Sequence, residues 1–486
     1  MSIEYEAVIG LETHIQLNTH TKIFCACKAD SWDDAPNSNI CPVCTGLPGV
    51  LPVLNEKVVE KAVLLAAAMQ AGIQPLSFFD RKNYFYPDLP KGYQISQYDQ
   101  SLARGGYLDL PIPQTADPEG KGYVRRVRIH KLHIEEDAGK TKKERNRRYV
   151  DFNRCGVPLV EMVTEPDLRS AEEAGQYLIR LRQLLRWLGI SEGDMEKGNL
   201  RCDANVSIRK KGSSALNTKT EIKNVNSIDA VKDAIRKEIE RQIREVKKGN
   251  AIKPWTLDWD DNAGVLRMMR SKESEADYRY FHEPDLLPLE ISNSWKEEIL
   301  KDVPELPLER RTRFMRDFQL PEYDADILTT DRELADYFEE SVRFYQGDVK
   351  KISNWLMNDV LRMRNELGIS MREMNLTPHK LAALVNLTDA GKINITTAKN
   401  LLSKIQESGK NPQVLVEELG LAVVSDDAAI RAVCEKVVAQ NPNEVQSYKN
   451  GKESLIGWFV GQVMREMRGK ADPRLTQQIL KEILEK

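Results

Sequence analysis

The chain has 486 residues, 41% of them apolar and 30% charged, which is enough for about three domains with real cores and excludes a disordered or collagen-like protein. Lys and Arg number 71 against 74 Asp and Glu, a net charge of -3, so bulk attraction cannot hold nucleic acid and any RNA contact needs a local patch. No stretch approaches the roughly 20 apolar residues of a membrane span. The first residues carry no secretory signal pattern, and seven uneven cysteines make no disulfide framework, which points to a reducing cytoplasm.

Residues 8–17 alternate as a strand, with Ile9, Leu11, Ile15 and Leu17 on one face and Glu12, His14 and Gln16 on the other. Next comes Cys25-x-Cys27, thirteen residues, then Cys41-x-x-Cys44. Two thiolate pairs joined by a short loop suit a structural zinc, although the Cys-x-Cys half departs from the usual Cys-x-x-Cys. Four protein ligands leave no open position, so such a metal organises a loop and does not catalyse. Cys155, Cys202 and Cys434 lack comparable partners and read as buried small side chains. Residues 62–73 suggest a short helix with one apolar face.

Tyr84, Phe85, Tyr86 and Tyr93 lie among Arg81, Lys82 and Lys91. That mixture suits either splayed single-stranded RNA or ordinary aromatic packing. A basic run follows, with Arg125, Arg126, Arg128, Lys140, Lys142, Lys143, Arg145, Arg147, Arg148 and Arg154; it fits an RNA contact or a solvated loop. Inside it, Glu135, Glu136 and Asp137 read as a metal-binding turn. Gly139, Lys140 and Thr141 match the end of a phosphate loop, but Ile134 stands where the first glycine is needed, so no Walker-type nest forms.

The segment 160–165 places Glu161 and Glu165 on one face. Ser170 and Glu173 make a capping box for a helix whose stripe runs Ala174, Tyr177, Leu178, Leu181, Leu184, Leu185 and Leu188, ending at Gly189. Strands follow at 201–208, with Asp203, Asn205 and Ser207 on the polar face, and at 219–225, with Lys219, Glu221 and Lys223 together. A second amphipathic helix spans 228–248. Strands that succeed one another without regular helical crossovers indicate an α+β fold, largely antiparallel. Several polar strand faces with carboxylates form a surface for a hard divalent cation such as magnesium, shared with nucleotide phosphates that Lys and Arg also meet.

After the proline-rich run 304–307, read as a linker, nearly everything is helical: 331–345, 350–367, 378–386, 396–408, 426–440, and 452–486 broken at 469–473. In the last pair Gly457 and Gly461 share a helix face near Trp458, Phe459, Val463 and Met467, ringed by Lys452, Arg465, Arg468, Lys470 and Arg474. This is either a small packed bundle or one whose basic rim meets RNA.

Seven segments, GLETHIQL (10–17), FDRKNYFYPDLPKGYQISQYD (79–99), HIEEDAGK (133–140), DFNRCGVPLVEMVTEPD (151–167), RCDANVSI (201–208), EIKNVNS (221–227) and DYRYFHEPDLLPL (277–289), together resemble the B-subunit family of the aspartyl/glutamyl-tRNA(Asn/Gln) amidotransferases. The stretch 453–480, ESLIGWFVGQVMREMRGKADPRLTQQIL, is similar to the tail this family shares with YqeY-type proteins. The resemblance implies a glutamine synthetase-like catalytic cradle over residues 1–293, a helical domain over 294–421 and a helical tail over 422–486. It also implies an ATP-dependent kinase and transamidase that works in the bacterial cytoplasm with an amidase A subunit and a small C subunit. By the same resemblance Glu12, His14, Glu135 and Glu136 are catalytic, with Glu12, His14 and Glu136 on magnesium; Asp203 and Glu221 match the family's metal and nucleotide region. Candidate cations for the nucleotide's phosphates are Lys140, Arg154, Lys223 and Arg279. His282 departs from the family pattern, which has proline there.

The implied chemistry makes an acyl phosphate on the side-chain carboxyl of glutamate or aspartate esterified to tRNA, which ammonia then converts to the amide. This chain has no N-terminal cysteine nucleophile, no amidase-type serine loop at Gly212-Ser213-Ser214 and no Cys–His glutaminase arrangement, so ammonia is expected from a partner. A zinc-stabilised tRNA adaptor without chemistry is the alternative. A free-standing ligase for a small amino acid fits the long helical C-terminus poorly.

Overall fold

The computed structural model describes residues 5–271, 275–422, 427–467 and 471–485. Two compact units divide it, Met1–Leu306 and Pro307–Lys486.

The first unit is built on a large sheet. Its principal strands are β1 (Tyr5–Gln16), β2 (Tyr123–Glu136), β3 (Pro158–Thr164), β4 (Leu200–Lys210), β5 (Thr220–Val225), β6 (Trp255–Asp260) and β7 (Val265–Ser271). They lie side by side as β7-β6-β5-β4-β1-β3-β2, with Ala103–Arg104 and Gly72–Ile73 beyond β2. Neighbours are antiparallel except β5 and β6, which are parallel. That one parallel pair needs a crossover, and helix α3 (Ile228–Lys247) supplies it. The α+β expectation therefore holds.

Alternation gives the central strands two different faces. Leu11, Ile15, Leu132, Ile134, Val160 and Met162 are buried in one core with side chains of α1 (Glu56–Ala68), α2 (Ala171–Trp187) and α3. Each such aliphatic side chain contributes about 1.5–3 kcal/mol when fully buried. The opposite face carries Glu12, His14, His133, Glu135 and Glu161, so the helices press the charged face together from behind.

Local details differ from expectation in instructive ways. α1 starts at Glu56, capped by Asn55, and stops at Ala68; Gln70 then takes φ 55°, and the chain leaves as a strand. Ser170 caps α2 as expected, accepting from the Glu173 N–H. The reciprocal bond closes one residue early, on the Arg169 N–H, while the same Glu173 carboxylate takes Tyr123 Oη and Arg125 Nε. Much of the basic run is neutralised: Arg125 pairs with Glu173, Arg126 with Asp109 and Arg128 with Asp167. Its remainder is a hairpin, Lys140–Glu144 with Arg147–Asp151. Gly139-Lys140-Thr141 thus enters a strand and opens no helix, as the missing first glycine of a phosphate loop implies.

The first unit continues past the expected boundary at residue 293. Ser292 caps the helix Asn293–Leu300, whose Ile299 joins the first core. Pro307 then opens the second unit's first helix, Pro307–Asp317. The expected helix at 350–367 is interrupted by a π turn at Leu356–Val360. Short helices such as Glu322–Leu328 and Pro412–Glu418 escape periodicity because seven residues span barely two turns.

The last four helices, Asp427–Gln440, Pro442–Lys449, Leu455–Glu466 and Pro473–Leu484, gather around Ile430, Cys434, Phe459, Val463, Ile479 and Leu480. Gly457 and Gly461 are exposed, and a Cβ added at either would meet nothing within 4 Å, so neither serves helix packing. Lys452, Arg465 and Arg474 are also exposed; Arg468 and Lys470 lie outside the described residues. No helix among the described residues is long and apolar enough to cross a membrane.

Candidate functional site

Antiparallel register assembles the polar face. Arg201 on β4 stands opposite His14 on β1, His14 opposite Glu161 on β3, and Glu161 opposite His133 on β2. Residues directly opposite have Cβ atoms roughly 5 Å apart, so four sequence-distant side chains form one row. Glu135 follows His133 by two residues and shares its face. His14 Nε2 lies 3.6 Å from Glu135 and 3.4 Å from Glu161, and His133 Nε2 lies 3.5 and 3.4 Å from the same two carboxylates. Two overlapping groups result, Glu12–His14–Glu161 and His133–Glu135–Glu161, each with ligand atoms within 4.8 Å of one another.

The electrostatics follow from burial and alternation of sign. Burial opposes a charged His14, but the hydrogen bond and charge of Glu161, with the charge of Glu135, outweigh it and raise the imidazole to about 9. His133 is likewise raised to about 9, against burial, by Glu161 and Glu135. Both carboxylates are correspondingly held low: the histidines overcome burial and keep Glu161 well below the usual range. Glu12 moves the other way, raised by burial and by the Glu161 charge. His14 and Lys223 offset that rise only in part, so an added cation beside Glu12 would favour its charged form. His133 Nδ1 is buried without a hydrogen-bond partner.

On one flank, Glu12 stands opposite Asp203. Lys223 bridges Asp203 at 2.5 Å and Glu221 at 3.5 Å, so three expected nucleotide-region residues adjoin the row. On the other, Arg201 Nη2 bonds Asp137 at 2.7 Å, and Arg154 lies 3.5 Å from that carboxylate. Arg154 and Lys140 line a neighbouring cavity of about 590 Å³, where Lys140 sits 4.6 Å over the Trp32 ring. Burial and the Arg154 charge lower the Lys140 pKa. Lys82, buried against its own charge, is nonetheless raised by Glu135.

Other expected residues fall elsewhere. Glu135 and Glu136 are the last two residues of β2 and Asp137 lies just past its end, so Glu135 and Glu136 point to opposite faces. Glu136 pairs with Lys91 and accepts from the Ile95 N–H, away from Glu12 and His14. A register shift after Val163 separates Glu165 from Glu161, and Glu165 meets His130 instead. Arg279, at φ 46°, places its guanidinium 5.8 Å over Phe85 and joins neither cluster. His282 pairs in a strand with Asp80, 2.8 Å from its carboxylate. The aromatic segment is mixed: Tyr93 packs beneath Arg81, whereas Phe85 is 78% exposed. Sequence reasoning misses His133, Arg201 and the central place of Glu161. His133 is detectable in principle, because it alternates with Glu135 around the apolar Leu132 and Ile134.

The second cluster is separate. Cys25, Cys27, Cys41 and Cys44 bring four sulfurs within 4.8 Å of one another, with no disulfide. Tetrahedral bonds of about 2.3 Å place sulfurs nearly 4 Å apart, so the quartet fits a metal ion. A hydrogen bond from Cys25 lowers the Cys44 thiol to about 4. Cys155, Cys202 and Cys434 are buried, as expected.

Comparison with known proteins gives a consistent picture. The family described as the GatB/GatE catalytic domain matches residues 7–297, and the GatB domain matches residues 336–484. The aspartyl/glutamyl-tRNA(Asn/Gln) amidotransferase B subunit of Persephonella marina is 48% identical over 482 residues, covering 99% of this chain and all of the relative. The proteins of the same name from Thermodesulfovibrio yellowstonii and Thermoanaerobacter pseudethanolicus are 48% and 47% identical, covering 99% and 100% of this chain and all of each relative.

Proposed function

The chain belongs to the GatB family of tRNA-dependent amidotransferase B subunits, and from that premise we propose that its imidazole–carboxylate row is where a mischarged aminoacyl-tRNA is activated by ATP. The substrate is the side-chain carboxylate of Glu-tRNA(Gln), Asp-tRNA(Asn) or both. A carboxylate is a poor acceptor for ammonia because oxide would have to leave. Phosphorylation gives an acyl phosphate, and ammonia then displaces phosphate to leave the amide.

The observation that carries this reading is the row Arg201–His14–Glu161–His133 with Glu12 and Glu135 beside it. Glu12 and Glu161, with Glu135 on the far side of Glu161, would hold magnesium, since hard cations take carboxylate oxygens; His14 would join them only on giving up the proton that Glu161 and Glu135 now hold on it. A cation held there would supply positive charge to offset that on the phosphoryl oxygens. Asp203, Glu221 and Lys223 would orient the nucleotide, and Lys82 and Arg201 keep the surrounding field from repelling phosphate. The aminoacyl end approaches over the exposed aromatic segment at Phe85.

Ammonia comes from partners, an amidase A subunit bridged by a small C subunit in a cytoplasmic heterotrimer. The cysteine inventory supports this: four lie in the quartet and three are buried, so none is placed as an exposed glutaminase nucleophile. The first unit, through Leu306, would be the catalytic cradle, followed by a helical domain to about residue 421 and a tail over 422–486. The direct test combines the chain with A and C partners, ATP, magnesium and glutamine, with Glu-tRNA(Gln) in one arm and Asp-tRNA(Asn) in another. ADP with Gln-tRNA or Asn-tRNA is expected in at least one arm; neither product in either arm of a correctly assembled complex rules the reading out.

The cysteine quartet is read as structural zinc. Protein purified without chelator should contain about one zinc per chain. Cys25→Ser should lower the melting temperature far more than it alters ATP turnover at saturating tRNA. Metal analysis and thermal melts check both, and a folded, reduced, zinc-free wild type refutes the assignment.

The exposed Gly457–Gly461 face and Lys452, Arg465 and Arg474 support a tail that meets tRNA away from its acceptor end. Ending the chain at residue 421 should weaken tRNA binding by about tenfold or more at physiological salt, and flatten the salt dependence as phosphate contacts are lost. Amide formation at saturating tRNA should survive. Filter binding across a salt series checks this, and unchanged affinity excludes the role.

A further inference from the structure

The centre of the cysteine module contains a buried cation that no carboxylate balances. Lys22 has a relative exposure of 0%, and its ammonium donates to the Asn39 carbonyl at 3.0 Å and to Cys44 Sγ at 3.6 Å. No carboxylate pairs with it among the described residues. A buried ammonium needs an anionic partner, which one carbonyl dipole does not supply, and the Cys44 sulfur beside it is a group that can carry the negative charge.

The backbone locks the side chain in place. The Lys22 N–H donates to the Cys27 carbonyl at 2.8 Å, and the next residue, Ile23, donates to the Gly156 carbonyl at 2.9 Å. Gly156, at φ 78°, stands where an added Cβ would meet both Cys44 Cβ at 3.5 Å and Lys22 Cδ at 3.7 Å. Its own N–H donates to the Asp137 carbonyl. Lys22, Cys44 and Gly156 therefore form one packed contact between the cysteine loop and the end of β2.

We propose that Lys22 is the built-in counter-ion of the cysteine metal centre, offsetting the excess negative charge of four thiolates on one divalent ion and fixing Cys44 as a ligand through an N–H···S bond. This rests on the zinc reading above. Four thiolates around a doubly charged cation make a dianion, so the buried ammonium and the metal site each supply the charge the other lacks. Donation to sulfur also offsets its charge and lowers its basicity and nucleophilicity, which slows protonation and alkylation of the thiolate and so its release from the metal. Lys22 is a positioning residue and touches no metal. Removal of partners in the layer around a metal site typically costs 10- to 100-fold in affinity.

The test uses the full-length chain loaded with zinc. Lys22→Met keeps an unbranched stem and removes the charge; Lys22→Arg keeps the charge. A chromogenic chelator in excess reads the zinc release rate, peptide mass spectrometry reads alkylation of Cys44, and thermal melts are run on loaded and metal-stripped protein. Lys22→Met should release zinc about 10- to 100-fold faster and expose Cys44 to faster alkylation, with Lys22→Arg recovering part of both. In stripped protein, Lys22→Met should lower the melting temperature less than in loaded protein, because the ammonium then faces one cysteine sulfur and not a four-thiolate metal centre. Zinc release at the wild-type rate, or an equal fall in melting temperature with and without metal, overturns the proposal and leaves Lys22 a packing residue. A wild type that takes up no zinc overturns the zinc reading together with this one, whereas an indifferent Lys22→Met in a zinc-loaded background overturns this one alone. If the methionine variant does not fold, Lys22→Gln, a neutral donor, is read on the same measurements with the same expected order.

Discussion

Glu12→Gln should lower tRNA-dependent ATP cleavage by about 10²- to 10³-fold, the scale on which one lost electrostatic contact to a transition state is felt. The substitution keeps the shape of the side chain and removes its capacity for charge. Burial and the neighbouring Glu161 charge already raise the Glu12 pKa, so this carboxylate contributes little to holding the apo fold together. Its neighbours on the apolar side of β1, Leu11 and Ile15, are untouched. Assembly with partners, tRNA affinity and melting temperature should therefore stay close to wild type. ATP cleavage assayed with mischarged tRNA, beside a thermal melt, separates the effects. Wild-type turnover in folded Glu12→Gln protein would sink the catalytic assignment and favour a zinc-stabilised adaptor.

Glu161→Gln should remove activity on the same scale and also destabilise the protein, which distinguishes it from Glu12→Gln. Glu161 is buried between His14 and His133, and both imidazoles owe much of their raised pKa to it. Without it, burial is opposed only by Glu135 and the remaining partners, and at least one imidazole must give up its proton. Stripping one partner from a buried ion pair costs about 3–5 kcal/mol when the other charge is trapped. Histidine can neutralise itself, so the expected loss is smaller, about 1–3 kcal/mol. Denaturant melts of metal-stripped protein measure it. Lost activity with unchanged stability would restrict Glu161 to metal binding, and full activity would remove it from the site.

The two substitutions also show how unevenly the site can be read from sequence. Glu12 and His14 stand out because strict alternation over 8–17 sets them against Ile9, Leu11 and Ile15, a pattern visible within one strand. Sequence alone joins Glu161 with Glu165 on a polar face, since no local feature announces the register shift after Val163. Reading the acidic triplet as a turn likewise joins Glu136 to the metal-binding residues. A strand turns neighbours to opposite sides, and Glu136 goes with Lys91. Arg279 lies in a segment with no clear period, so its position over Phe85 follows from nothing local.

The sequence by itself determined the α+β class, the capped helix α2 and the amphipathic helix α3, the burial of Cys155, Cys202 and Cys434, the polar identity of the β1 face and the candidate cysteine quartet. Each depends on spacing within a few turns or a single strand, or on a few ligand types at short separation. Only the tertiary structure decided which polar residues meet. The row Arg201–His14–Glu161–His133 spans four strands drawn from across the first 210 residues, and its membership depends on antiparallel register. Register is set by how the apolar faces of those strands pack beneath α1, α2 and α3, and a slip of one residue would turn every charged side chain into the core. The same holds for Lys22, whose cationic side chain looks like surface until the cysteine loop folds over it and its charge has to be met from within.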